Sequence, residues 1–236
     1  MSKIVGILGG MGSMSTVEFM QKIVEKTPAV RDQDHLRLLV DNRPQIPDRT
    51  DFLLDEGPSP LPMMRESAQL LEKWGANLIA MPCNTAHAFI DQIKEVVSVP
   101  VLDMLHLLAR ELEERYSPQT AVGLLTTTGA VRSELFQKYL KNFRLITPGP
   151  DVQEALVMEA IYGAGGIKAG GALSTNRELL LKAAEALLPE KPAAIILGCT
   201  EIALALGEAT FSLPFINPLD ILADSVVQNA LQVDAQ

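Results

Sequence analysis

The chain has 236 residues, 47% hydrophobic and 21% charged, enough to bury one large core or two smaller ones, and its composition is that of a folded protein. Twenty basic against twenty-nine acidic side chains leave a net charge of −9, which argues against the basic face that nucleic acid or an anionic membrane surface requires. No stretch reaches the roughly 18 consecutive apolar residues that span a bilayer.

The N-terminal MSKIVGILGG enters a strand at once. It lacks the basic region, long apolar run and small-residue cleavage site of a secretory signal, so the cytoplasm is the expected compartment. In chain order, KIVGIL, HLRLLVD, ANLIAMP and VPVLD are short apolar runs rich in β-branched residues and are predicted strands. SMSTVEFMQKIVEK and PMMRESAQLLEKW, between them, carry apolar positions at helical spacing. The scheme then repeats: TAVGLLT, FRLIT, PAAIILG and LPFIN as strands, with helices around VRSELFQKYLKN, VQEALVMEAIYG and TNRELLLKAAEALL.

The repetition extends to the letters. IVGILGGMG at Ile4 matches AVGLLTTTG at Ala121, 117 residues on; Cys83 and Cys199 lie 116 apart; VPVLDMLHLLA at Val99 matches LPFINPLDILA at Leu213, 114 apart. Three matches in one order at nearly one offset indicate two similar halves. Alternating strands and helices imply parallel sheets covered on both faces, with ligands beyond the carboxyl ends of the strands. The predicted fold is α/β, two pseudo-symmetric lobes facing each other across a cleft. Residues 1–104 with 213–236 form the expected first lobe, and 105–212 the second.

Both cysteines fall at strand-to-helix junctions. Two thiols in such a chain are weak grounds for a disulfide, and beyond Cys83 and His87 there is no Cys/His set with metal-ligand spacing. A cysteine at a helix N-terminus meets free backbone N–H groups and the positive end of the helix dipole, which predicts a lowered pKa for each. Two acid/base groups on opposite sides of one carbon suit racemisation or epimerisation. One thiolate removes the α-proton, and the other group, as a thiol, returns a proton to the opposite face. General-base catalysis contributes about 10²–10⁴-fold, so the site must also stabilise the carbanion. Arg43 and Arg49 in DNRPQIPDRTDF are candidates for a carboxylate, since a guanidinium donates two parallel hydrogen bonds. Lys168 in the glycine-rich GAGGIKAGG is a candidate ammonium, and TTTGA offers hydroxyls and backbone N–H groups.

The chain resembles the cofactor-independent aspartate racemases of the aspartate/glutamate racemase superfamily. The motifs that carry the resemblance are GILGGMG (6–12), RDQDH (31–35), PQIPDRT (44–50), MPCNTAH (81–87), VGLLTTTG (122–129), IKAG (167–170) and GCTE (198–201). The resemblance implies racemisation of aspartate without pyridoxal phosphate or another cofactor, and without a metal. By motif position it implies Cys83 and Cys199 as the acid/base pair. Arg49 and Lys168 would grip the side-chain carboxylate, and Asn84, Thr85, Thr127 and Thr200 the α-carboxylate and amino group. It also implies a homodimer, and a last helix that packs back on the first lobe. Ser13, Ala130 and two extra residues before IKAG depart from the aspartate branch, while GILGGMG and Glu201 depart from glutamate racemases.

Simpler roles compete with these. A lone cysteine is often a small buried hydrophobe, and Asn84, Thr85 and Thr200 are at home as helix caps. Arg43 reads as a solvated charge. His87, one turn from Cys83, reads as a packing residue, although a Cys–His nucleophilic pair is conceivable; Glu201 either orients Cys199 or simply favours a helix dipole. His35 and His106 have no evident partner. Racemisation of glutamate or another amino acid, a related decarboxylase or isomerase, and a non-catalytic protein that binds a small anion remain as alternatives.

Overall fold

The computed structural model describes residues 2–207 and 209–231; residues 1, 208 and 232–236 of the expected lobes lie outside the described residues. Two parallel sheets carry the fold. In the first, β1 (Val5–Gly9) lies between β2 (Leu38–Asn42) and β3 (Leu78–Ala80), and Val101 adds a single parallel bridge to Ile79. In the second, β4 (Ala121–Leu125) lies between β5 (Arg144–Ile146) and β6 (Ile195–Leu197), with β7 (Phe215–Ile216) beside β6.

The helices are α1 (Ser13–Lys26), α2 (Arg49–Leu53), α3 (Leu61–Lys73), α4 (Ile90–Lys94), α5 (Met104–Arg115), α6 (Thr128–Arg132), α7 (Leu135–Tyr139), α8 (Pro150–Val152), α9 (Glu159–Tyr162), α10 (Leu173–Glu185), α11 (Thr200–Leu206) and α12 (Pro218–Leu231). A π-helical turn, Gln153–Met158, joins α8 to α9. The run VRSELFQKYLKN does not form one helix. It breaks between α6 and α7, where Glu134 takes a left-handed φ of 53°, a conformation that interrupts helical hydrogen bonding.

The lobes exchange helices. α5 leaves the first lobe after Val101 and buries Leu105, Leu108 and Leu112 against Val122, Phe136 and Ile196 of the second. α12 leaves the second lobe after β7 and buries Leu219, Leu222 and Val226 against Val5, Ile7 and Phe19 of the first. The expected first-lobe segment 213–236 is therefore divided: β7 pairs within the second sheet, and only α12 crosses back. Edge pairing is decided by the strand alongside, here β6, whereas a helix follows its apolar face.

Repeated glycines bring the lobes into contact. Gly12 and Gly129 hold the same place in the two halves. A Cβ on Gly12 would come within 2.7 Å of Glu201 Oε1, and one on Gly129 within 2.9 Å of the Thr50 backbone. Each lobe thus leaves out one side chain where the other must approach. No helix among the described residues is long and apolar enough to cross a membrane.

Candidate active site

Both cysteines lie just past the carboxyl end of a strand. Cys83 follows β3 and Cys199 follows β6, and each is 6% exposed and free. The junctions differ in what comes next. Cys199 is the N-cap residue of α11, whereas Cys83 leads through Asn84 into a 3₁₀ turn, Thr85–Phe89, ahead of α4.

The eight site residues that the family resemblance implies, Cys83, Cys199, Arg49, Asn84, Thr85, Thr127, Lys168 and Thr200, line one cavity with Met11, Thr50, Tyr162 and Glu201. Its free volume is about 10 Å3, room for about one water and far below the few hundred Å3 of an ordinary ligand pocket. The lobes are therefore closed on one another. An outer pocket of about 300 Å3 shares the Thr50 and Tyr162 wall. Across that wall the Tyr162 hydroxyl lies 3.2 Å from both Asp48 carboxylate oxygens and from Thr50 Oγ1, joining the second lobe to the first. Burial first, then the Asp48 charge, hold the phenol protonated far above its usual range.

Arg49 is buried at 6% exposure. Its Nη1 donates to the carbonyls of Ile46 (3.4 Å) and Pro47 (3.1 Å), and Nη2 to that of Met11 (3.1 Å), while Nε has no partner. Burial opposes its charge, but Cys83 and Asp48 outweigh that and keep the guanidinium protonated. Arg43 does not enter the cavity; it pairs with Glu66 at 2.9 Å.

Lys168 sits in the 3₁₀ turn Ile167–Ala169 with its backbone outward and its side chain only 23% exposed. Its Nζ is 3.5 Å from Glu201 Oε1 and 5.3 Å from the centre of the Tyr162 ring, a cation–π arrangement. Burial works against the ammonium, but Glu201 and Cys199 raise its pKa overall.

The predicted capping roles are not taken up by Asn84, Thr85 or Thr200. The Asn84 amide nitrogen and oxygen are both buried without a partner. Thr85 Oγ1 meets Thr127 Oγ1 across the lobes at 3.3 Å, and Thr200 Oγ1 donates to Glu201 Oε2 at 3.2 Å. Thr127 alone caps, accepting from the Ala130 N–H of α6.

The expected lowering of both thiol pKa values is not what Cys199 shows. Burial and then Glu201 push its thiol well above the usual range, despite its place at a helix N-terminus. A terminal dipole equals roughly half a charge, and the full charge of Glu201 stands 3.1 Å from the sulfur.

His87 points away from the cavity. Its Nε2 accepts from the Met104 N–H at 3.0 Å, so Nδ1 carries the proton and donates to the Cys83 carbonyl at 2.8 Å. The neutral ring pins the Cys83 loop to the start of α5, and burial lowers its pKa. Tyr162, Thr50 and Met11 were not anticipated. Tyr162 stands six residues before Lys168, beyond the glycine-rich turn, and only folding of that turn brings it to Asp48. Among the described residues, no group of three or more His, Cys, Asp or Glu is placed to hold a metal ion.

The model of the Asp/Glu/hydantoin racemase family matches residues 8–226. The broad-specificity amino-acid racemase RacX of Bacillus subtilis is 28% identical over 232 residues, 97% of this chain and 98% of that protein. Picrophilus torridus aspartate racemase is similar in structure, with a TM-score of 0.84 at 31% identity over 97% of this chain and 94% of that one. Glutamate racemase from Francisella tularensis, in complex with D-glutamate, gives 0.63 at 16% identity over 100% of this chain and 85% of that one, a likeness of fold alone.

Proposed function

The chain belongs to the Asp/Glu/hydantoin racemase family, and from that premise we propose that it interconverts L- and D-aspartate through Cys83 and Cys199 as a two-base pair. The observation that carries the reading is one cavity lined by a cysteine from each half of the repeat and by a cation from each lobe. One sulfur, as thiolate, takes the α-proton. The carbanion is stabilised through its carboxylate, and the other sulfur, as thiol, protonates the opposite face. A buried cavity with room for about one water strengthens each charge interaction relative to bulk water.

The polar groups suit an acidic amino acid. Arg49 has its Nε–H free for a carboxylate, and Asn84 has an unused donor and an unused acceptor, one for a carboxylate and one for an ammonium group. Lys168, Thr85, Thr127 and Thr200 complete the polar lining. The likeness to the aspartate racemase of Picrophilus torridus supports aspartate. A broader amino-acid range is the second reading. It is favoured by the RacX relative and by the Glu201–Lys168 pair, which a second substrate carboxylate would have to rearrange. The same proposal has the enzyme acting without pyridoxal phosphate, in the cytoplasm, as a homodimer.

The test is incubation with L-aspartate in D2O without added cofactor, following chirality and α-deuteration together, beside the Cys83→Ala/Cys199→Ala double variant. D-aspartate bearing α-deuterium, and none with the variant, is the expected result. Absence of exchange with aspartate but exchange with another amino acid from a panel would move the assignment to the broader range. No exchange with any would overturn the two-base reading.

A further inference from the structure

The two thiols are equally buried and differ in the charge that faces them. Cys199 Sγ is 3.1 Å from Glu201 Oε2, which also accepts the Thr200 hydroxyl, while Glu201 Oε1 pairs with Lys168 Nζ at 3.5 Å. A carboxylate that takes a hydroxyl donor on one oxygen and an ammonium on the other acts as an acceptor, so the proton between sulfur and carboxylate belongs to the sulfur. On the other side no carboxylate faces Cys83; the ionised groups that bear on it are the Arg49 guanidinium and, less strongly than on Cys199, the Lys168 ammonium. The offset of 116 that relates the two cysteines relates Glu201 to Thr85, so the first half has a neutral hydroxyl where the second has a carboxylate.

We propose that Glu201 is a positioning residue that keeps Cys199 as the thiol, so that the resting site holds its thiolate at Cys83 beside Arg49. Given the racemase reading, the resting site is then primed for the enantiomer whose α-hydrogen points at Cys83. In that turnover Cys83 gains the substrate α-proton and Cys199 loses its own to the opposite face of the carbanion. Product leaves behind a Cys83 thiol and a Cys199 thiolate against Glu201, two anions in contact, with Lys168 as the cation that offsets them. A proton taken back from solvent by Cys199, and one released by Cys83, restore the resting state. The other ionisable groups that bear on this pair are Tyr162, from α9, on Cys199, and Glu18, from α1, on Glu201.

The protonation claim is tested without substrate. Alkylation by iodoacetamide consumes the thiolate, forming a carbon–sulfur bond and releasing iodide, and the two cysteine residues share the same 6% exposure. Native protein is labelled from about pH 6 to about pH 9, and the Cys83 and Cys199 peptides are quantified by mass spectrometry. Cys83 is expected to label about tenfold faster at neutral pH. Glu201→Gln is expected to speed Cys199 by a similar factor and move its profile to lower pH, leaving Cys83 in place. Equal rates in the wild type, a faster Cys199, or an unmoved Cys199 profile in a folded Glu201→Gln would overturn the proposal. Should that variant fail to fold, the wild-type ranking decides alone. A protein that labels in the expected order yet exchanges no α-proton would retain this assignment and lose the racemase reading.

Discussion

Cys83 and Cys199 reach the cleft by one repeated chain path, yet the surroundings of each are chemically unlike. The first has Arg49 and neutral Thr85; the second has Glu201, itself paired with Lys168. The His87 ring that pins the Cys83 loop also has no counterpart, since Ala203 holds the matching place. The difference teaches that a repeat copies backbone direction, while charge comes from where the copies diverge. Those places are the first residue of α2, the glycine-rich turn carrying Lys168, and one side chain two residues after the cysteine. Pseudo-symmetry of fold thus coexists with an unsymmetrical set of charges around the two thiols.

Separating the halves should give the largest effect. Cys83→Ala and Cys199→Ala should each lower racemisation by about 10²–10⁴-fold, as expected for losing a general base or acid. Each should still wash α-deuterium out of one enantiomer only, and a different one in the two variants. Proton NMR of each deuterated enantiomer reads this directly. Wash-out of the same enantiomer in both variants would contradict placement of the sulfurs on opposite faces.

Removing the cation beside Cys83 comes next. Arg49→Gln should lower kcat/KM by about 10–100-fold, in line with about 1.5–3 kcal/mol for hydrogen bonds to a charged group. Cys83 should also alkylate more slowly while Cys199 labels as before. A variant that slows both thiols alike would mean that Arg49 serves the cavity as a whole. Because Arg49 also ties three carbonyls together, urea unfolding of the same variant separates lost stability from lost chemistry.

His87 tests the half that has a pin. His87→Gln should destabilise the fold by about 1–3 kcal/mol by leaving the Cys83 carbonyl and the Met104 N–H without good partners. The buried ring has its pKa lowered from 6.5, so below that value the unfolded chain binds a proton that the folded chain refuses. This contribution is fully present above pH 6.5 and is lost as pH falls toward the folded pKa. Wild-type stability should therefore fall more steeply than that of the variant between about pH 7 and about pH 5, measured by urea titration. Parallel slopes would remove His87 from the acid response.

The smallest effect belongs to the seam between the halves. Tyr162→Phe removes the hydroxyl that meets Asp48 and Thr50, and should lower stability by about 0.5–1.5 kcal/mol. With the wall between cavity and outer pocket loosened, both thiols should label faster by the same factor. Acceleration of one alone would mean that access is controlled separately on each side.

Much of this organisation was legible in the letters. α1 spans the same residues as its apolar pattern, and seven of the eight strand runs fall where β1 to β7 form, while VPVLD gives only the single bridge at Val101. A doubled motif order marked the two lobes, and the motif residues converge on one cavity because they lie at the carboxyl ends of parallel strands. The periodicity alone was silent on which sheet α5 and α12 would cover; the halves and the family resemblance supplied that expectation. An amphipathic stripe records that a face is buried but not what buries it. Tyr162 and Glu201 acquire their places only when the glycine-rich turn and α11 meet α2 and α1.

The sequence by itself determined the two-lobed α/β plan, the repeated thiols and the polar residues beside them, because periodicity and motif order are local properties of the chain. Only the tertiary structure decided what charges surround each thiol. Position at a helix N-terminus predicts a lowered thiol pKa, but burial and a carboxylate 3.1 Å from Cys199 reverse that effect there. Coulomb energy depends on distance and surroundings, and neither exists until the lobes close.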